Sequence, residues 1–110
     1  MLMLSFIETK LFSRLAQDLL PDDELAKLRS FLMDNPEAGD VVRGSGGVRK
    51  LRWGTRGRGK RGGLRVIYYA KTAQGLIYML TIYPKSETEN IPAHVLRQIL
   101  KEVENAEAKA

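Results

Sequence analysis

Apolar positions along the chain follow two periods. Residues 2–7 alternate loosely and are rich in Leu, Met, Phe and Ile, which predicts a first strand. The apolar run ends at Glu8, so this segment reads as a strand and not as a leader or a membrane span. From Leu11 the spacing changes. Leu11, Phe12, Leu15, Ala16, Leu19 and Leu20 recur at helical intervals behind Thr9, a residue suited to capping. Pro21 closes that helix and suits the first position of the next, where its missing N–H is harmless. Asp22, Asp23 and Glu24 complement the positive end of the second helix dipole. Leu25, Leu28, Phe31 and Leu32 form its inner face, and Asn35-Pro36 stops it. The pair is expected to lie as a hairpin on one face of a sheet.

Residues 36–47 read as a loop, and three strands follow. In VRKLRW (48–53), Leu51 and Trp53 share a face while Lys50 and Arg52 point the other way. LRVIYYA (64–70) puts Leu64, Val66 and Tyr68 on one face and Arg65, Ile67 and Tyr69 on the other. LIYMLTIY (76–83) is apolar throughout, as a central strand covered on both sides would be, and Gln74-Gly75 supplies the turn before it. A last helix starts near residue 91, with Ile91, Val95, Leu96, Ile99, Leu100 and Val103 as its stripe and Pro92 in its first turn. The polar tail ENAEAKA is expected to fray. The order β-α-α-β-β-β-α over residues 1–110 predicts one α+β domain with a small, twisted, mainly antiparallel sheet.

Charge alters this otherwise ordinary picture. The net charge is +5, yet residues 43–65 hold nine Arg or Lys and no acid. Outside that stretch acids outnumber bases, thirteen to nine. A field concentrated in this way attracts polyanions, chiefly nucleic acid or an acidic membrane or protein partner. Eight of the ten glycines lie between residues 44 and 63, interleaved with the cations. Glycine lets a backbone approach a ligand closely, and Arg and Lys supply donors for phosphate oxygens. Arg49, Arg56, Arg58, Lys60 and Arg61 are therefore candidate RNA-binding residues. The plainer reading is a solvated basic loop. If the strands pair in sequence order, Lys50, Arg52, Arg65 and Lys85 converge on one sheet face. The plainer reading there is that acids such as Asp40, Glu87 and Glu89 pair with some of them.

The other chemistry open to the chain is narrow. With no cysteine, disulfides and Cys-based metal sites are excluded, and no carboxylate cluster suggests a metal, so neither metal nor cofactor is expected. His94 is the one histidine and reads as a helix-surface residue. Ser13, Ser30, Ser45 and Ser86 lack a His-Asp framework. The nucleotide-binding pattern GxxxxGK[ST] fails, because Gly54, Gly59 and Lys60 are followed by Arg61. A cationic site can still cleave RNA. The substrate brings its own nucleophile, the 2′-hydroxyl, and the protein needs to align it, stabilise the charge growing on the phosphate and move protons.

The runs GVRKLRW, GRGKRGGLRVIYY and IYMLTIYPKSE resemble the RelE/ParE toxin superfamily, and most closely its HigB-like branch, over nearly the whole chain. The resemblance implies a RelE-like fold and the toxin of a type II toxin–antitoxin system. Its activity would be that of a ribosome-dependent mRNA endoribonuclease (mRNA interferase) that needs no metal and leaves a 2′,3′-cyclic phosphate. It implies a cytoplasmic protein whose partners are a cognate antitoxin, mRNA in the ribosomal A site, and operator DNA only through the antitoxin complex. By motif, Lys50 and Arg52 match the two cations of the RKLR-type strand. Arg65 matches a phosphate and transition-state contact, and Lys85 a proton donor or phosphate clamp. These four are the candidate catalytic residues. The family's tyrosine near the start of the final helix is replaced by Ile91; Tyr83 and Tyr69 are the candidates to stand in for it, and both read equally well as core residues with satisfied hydroxyls. Two other functions fit the same composition: a ParE-like gyrase inhibitor and a non-catalytic nucleic-acid-binding module. Arg65 is expected to be partly exposed, and Trp53 to be a core residue.

Overall fold

The alternating segments become β1 (Ser5–Glu8), β3 (Arg49–Trp53), β4 (Leu64–Lys71) and β5 (Leu76–Pro84), joined by a two-residue strand, β2 (Asp40–Val41). The helical segments become α1 (Lys10–Leu19), α2 (Asp22–Asp34) and α3 (Ala93–Lys109). The computed structural model describes residues 4–54, 63–87 and 90–109. Among these residues the strands form one sheet in the order β1-β5-β4-β3-β2. Three of its pairings are antiparallel, and β1 runs parallel to β5.

Each boundary has a local cause. The Thr9 hydroxyl accepts from the Phe12 N–H at 2.9 Å, capping α1, and donates to the Leu80 carbonyl at 2.8 Å, tying the helix start to β5. Pro21 sits one position before α2, whose first turn carries Asp22, Asp23 and Glu24. Arg29 forks onto the Glu8 carboxylate at 2.8 and 2.9 Å, fastening α2 to β1. Gly75, at φ 69°, makes the turn into β5.

β2 lies inside the segment read as loop, because two residues are too few for alternation to register. Tertiary bonds hold it. The Tyr68 hydroxyl accepts from the Gly39 N–H at 2.8 Å and donates to the Pro36 carbonyl at 2.9 Å. Gly39 is obligatory there, since a Cβ would lie 2.9 Å from Tyr68 Cε1 and 3.0 Å from the Lys50 carbonyl oxygen.

Strand parity sorts the side chains into two cores. On one face, Phe12, Ala16, Leu28 and Leu32 of the helical hairpin pack on Leu51, Leu64, Val66, Tyr68, Ile77, Met79 and Ile82. On the other, Leu96 and Leu100 of α3 pack on Val48, Ile67, Tyr78 and Leu80. The sheet is thus covered on both sides, which accounts for the unbroken apolar run of β5. A bulge sets its phase: Ile67 pairs with Thr81 and Tyr68 with Met79, leaving Leu80 as the extra residue. Val95, placed in the α3 stripe from spacing, is instead 36% exposed. α3 runs to Lys109, and within it Glu104 is fastened to Lys71 of β4 at 3.0 Å. Among the described residues, no helix is long and apolar enough to cross a membrane.

Candidate functional site

The β3–β4 register determines which cations meet. Arg52 is directly opposite Arg65, and Arg65 is directly opposite Tyr83 of β5. Two residues along, Lys50 faces Ile67, which faces Thr81. Cross-strand partners share a face and lie about 5 Å apart, so Arg52, Arg65 and Tyr83 form one row, with Lys50 about 7 Å along the strand. Ile67 and Tyr83 belong to the apolar cluster under α3, so the row and Lys50 lie on the α3 face. Lys85 follows β5, and its backbone N–H donates to the Gly63 carbonyl at 3.1 Å, which keeps it beside the start of β4. Its side chain is exposed.

Arg65 departs from expectation. It is only 7% exposed, not partly exposed, because it lies on the middle of three strands, flanked on both sides in its own row. Its Nη1 donates to the Leu64 carbonyl at 3.3 Å. A buried guanidinium directly across from a second one is unfavourable by itself, since like charges opposite one another on a ladder repel. The pair is favourable with an anion between or above them. Tyr83 is 8% exposed, and burial raises its phenol above the ordinary value while the nearby Arg65 charge opposes that rise. Its hydroxyl therefore keeps its proton at neutral pH and offers a donor on the strand beside Arg65.

Lys50 extends toward the chain that follows β5. Its Nζ donates to Oδ1 of Asn90 at 2.7 Å, although its direct ladder partner on β2 is Asp40. Asn90 was not among the residues singled out from the sequence, where a lone Asn ahead of Ile91-Pro92 carries no signal.

Other candidates sit elsewhere. Arg49 shares the parity of Leu51 and Trp53 and so lies on the hairpin side, where its Nη1 donates to the carbonyls of Gly39 at 2.7 Å and Glu37 at 3.2 Å. Tyr69 is on the α3 face but four residues beyond Arg65, about 13 Å along the strand. Its ring stacks on Tyr78 with centroids 6.2 Å apart, and a Cβ on Gly47 would lie 3.1 Å from it. Arg56, Arg58, Lys60 and Arg61 lie outside the described residues. His94 is exposed in the first turn of α3.

The glycines at 44–47 also serve a purpose other than the ligand approach inferred from their clustering. Gly44, Gly46 and Gly47 have φ of 82°, 85° and 105° and form a turn closed by Ser45, whose Oγ accepts from the Val48 N–H at 3.0 Å. A Cβ on Gly46 would lie 3.9 Å from Leu100, so this turn is a seat for α3.

Comparison with known proteins agrees with this architecture. A solved structure of a double arginine-to-alanine variant of the E. coli toxin RelE in the free state superposes with a TM-score of 0.61, covering 89% of this chain and 96% of that one. The two are 14% identical, so the likeness is one of fold. The profile described as the RelE toxin of the RelE/RelB toxin–antitoxin system matches residues 5–109. The chain belongs to the RelE toxin family.

Proposed function

We propose that this toxin is a metal-independent, ribosome-dependent mRNA endoribonuclease of the HigB-like branch, acting in the cytoplasm and restrained by a cognate antitoxin. One observation carries the reading: a buried Arg65 in direct register with Arg52 on one side and the protonated Tyr83 on the other. Two arginines rooted at cross-strand positions about 5 Å apart suit the non-bridging oxygens of one phosphate. They stabilise the extra negative charge that develops as the 2′-hydroxyl oxygen attacks phosphorus. The P–O5′ bond breaks as the P–O2′ bond forms, giving a 2′,3′-cyclic phosphate and a 5′-hydroxyl. The 2′-hydroxyl gives up one proton to water and the 5′-oxygen takes one from Tyr83, which regains it from solvent. Lys50 and Lys85 flank the row as further phosphate contacts, and the cations of 56–61 extend the grip along the RNA backbone. Operator DNA is met only through the antitoxin complex.

Primer extension on translated mRNA tests this. Discrete cuts that vanish in Arg65→Ala support it. Intact mRNA together with inhibited supercoiling would move the protein to gyrase poisoning. Intact mRNA, normal supercoiling and salt-sensitive RNA binding would leave a binding module.

A further inference from the structure

We propose that Asn90 is a positioning residue: its neutral amide oxygen holds the Lys50 ammonium beside the Arg52–Arg65 row without cancelling its charge. The inference rests on the RNA-cleavage reading above and adds to it a residue outside the basic motif.

The geometry presents a choice of partners. Lys50 is in ladder register with Asp40, a carboxylate on the neighbouring strand, and both side chains share a face. Among the described residues no ion pair joins them. The ammonium instead donates at 2.7 Å to an amide oxygen forty residues along the chain. That bond also fixes the route of the backbone. The chain leaves the sheet from β5 at Pro84, yet Asn90 is held at β3, two strands away. The acceptor therefore reaches Lys50 from the segment between β5 and α3, on the face that carries Arg65.

The chemistry favours a neutral acceptor. A lysine side chain has four rotatable carbons and is a poor positional clamp unless something orients it. A carboxylate would orient it but would neutralise the charge that a phosphate is meant to meet. The same protein shows the alternative at the other end of this face. Lys71 is paired with Glu104 at 3.0 Å, and that hydrogen bond holds the ammonium above its ordinary value. Lys71 fastens a helix; among the described residues, Lys50, on the strand of Arg52, is held by a group of no charge.

Two substitutions separate orientation from charge. Asn90→Ala frees the ammonium but leaves its charge. Cleavage of translated mRNA should fall about tenfold in kcat from lost positioning. Binding of a labelled single-stranded oligoribonucleotide should keep the wild-type salt dependence. Asn90→Asp orients the ammonium but cancels it. Both cleavage and affinity should fall, and the slope of log Kd against log salt should shrink by about 0.7, the share of one phosphate contact on a single strand. Asn90→Gln, which restores the amide, should recover part of the Asn90→Ala loss. Asn90 is exposed, so all three variants should melt with the wild type. If the two variants match wild type in rate and salt slope, the inference is overturned. It is overturned equally if both lose the same activity with one salt slope and a lowered melting point, which would mark a merely structural asparagine. Wild-type protein that leaves translated mRNA intact would instead bring down the cleavage reading itself, and this inference with it.

Discussion

Replacing Arg65 by methionine should make the protein inactive and no less stable. The side chain is 7% exposed and directly opposite Arg52, so its charge is held near a like charge in a poorly hydrated place. With the two residues about 5 Å apart across the ladder, repulsion at an effective dielectric of about 20 is at most about 3 kcal/mol. Arg52 is exposed, and solvent screening brings that to about 1 kcal/mol. Methionine fills a similar volume with flexible apolar atoms and adds burial under α3. The net expectation for Arg65→Met is a gain of about 1 kcal/mol, or about 4 °C in Tm for a domain of this size. Against this, removing a preorganised cation from the phosphate should slow cleavage by about two to three orders of magnitude. Urea denaturation and thermal melting measure the first effect, and primer extension on translated mRNA the second. A variant that melts well below wild type would show Arg65 to be a structural cation. A variant equally stable and equally active would refute the phosphate assignment.

Three further outcomes follow from the packing. Trp53 lies 5.4 Å from Phe31, and its buried Nε1 has no hydrogen-bond partner among the described residues, so Trp53→Phe should change stability by less than about 1 kcal/mol, while Trp53→Ala should lose about 3 kcal/mol by urea titration. Gly39→Ala forces a Cβ into the Lys50 backbone, and a fall of about 2 kcal/mol or more with weakened amide protection in β2 and β3 is expected by hydrogen exchange; unchanged protection would deny the close approach. The Tyr68 phenol is raised by burial, a rise opposed by the Gly39 hydrogen bond and the Arg49 charge. The folded form thus favours the proton. Its contribution to stability is complete below pH 10.0, the ordinary phenol value, and is lost as pH climbs from there through the raised folded value. Tyr68→Phe should flatten that alkaline decline in a pH series of melts, and an identical decline in both proteins would contradict it.

The sequence made parity legible but not coverage. Alternation in RKLRW and LRVIYY was enough to separate Lys50, Arg52 and Arg65 from Leu51, Trp53, Leu64, Val66 and Tyr68, because a strand has a period of two whatever surrounds it. Nothing in that period says what lies over a face. The hairpin and α3 take opposite sides of the sheet, which single-helix amphipathicity does not specify, and Arg65 is buried on the middle of three strands, a place that the strand's own period does not reveal. β2 was invisible because two residues carry no period. The parallel pairing of β1 with β5 joins segments about seventy residues apart, beyond the reach of any local signal. The GSGG run was read for its chemistry, and its positive φ values and its place beside Leu100 add a second role, the seating of α3, that composition does not show. Asn90 acquires meaning solely through a contact spanning forty residues.

The register of β3 on β4 links the cation row to the fold. A slip of one residue along β4 would swap its faces, sending Arg65 and Ile67 into the hairpin core and bringing Leu64, Val66 and Tyr68 out onto the α3 side. That arrangement would place a guanidinium among Phe12, Leu28 and Leu32 without water, at a penalty of several kcal/mol. It would also strip the Tyr68 hydroxyl from Gly39 and Pro36. The apolar alternation that stabilises the sheet therefore excludes such one-residue slips, and in the observed register Arg52, Arg65 and Tyr83 form one row. It follows that substitutions at the even-numbered positions Leu64, Val66 and Tyr68 of β4 should lower stability and activity together, whereas substitutions at Arg65 should divide the two.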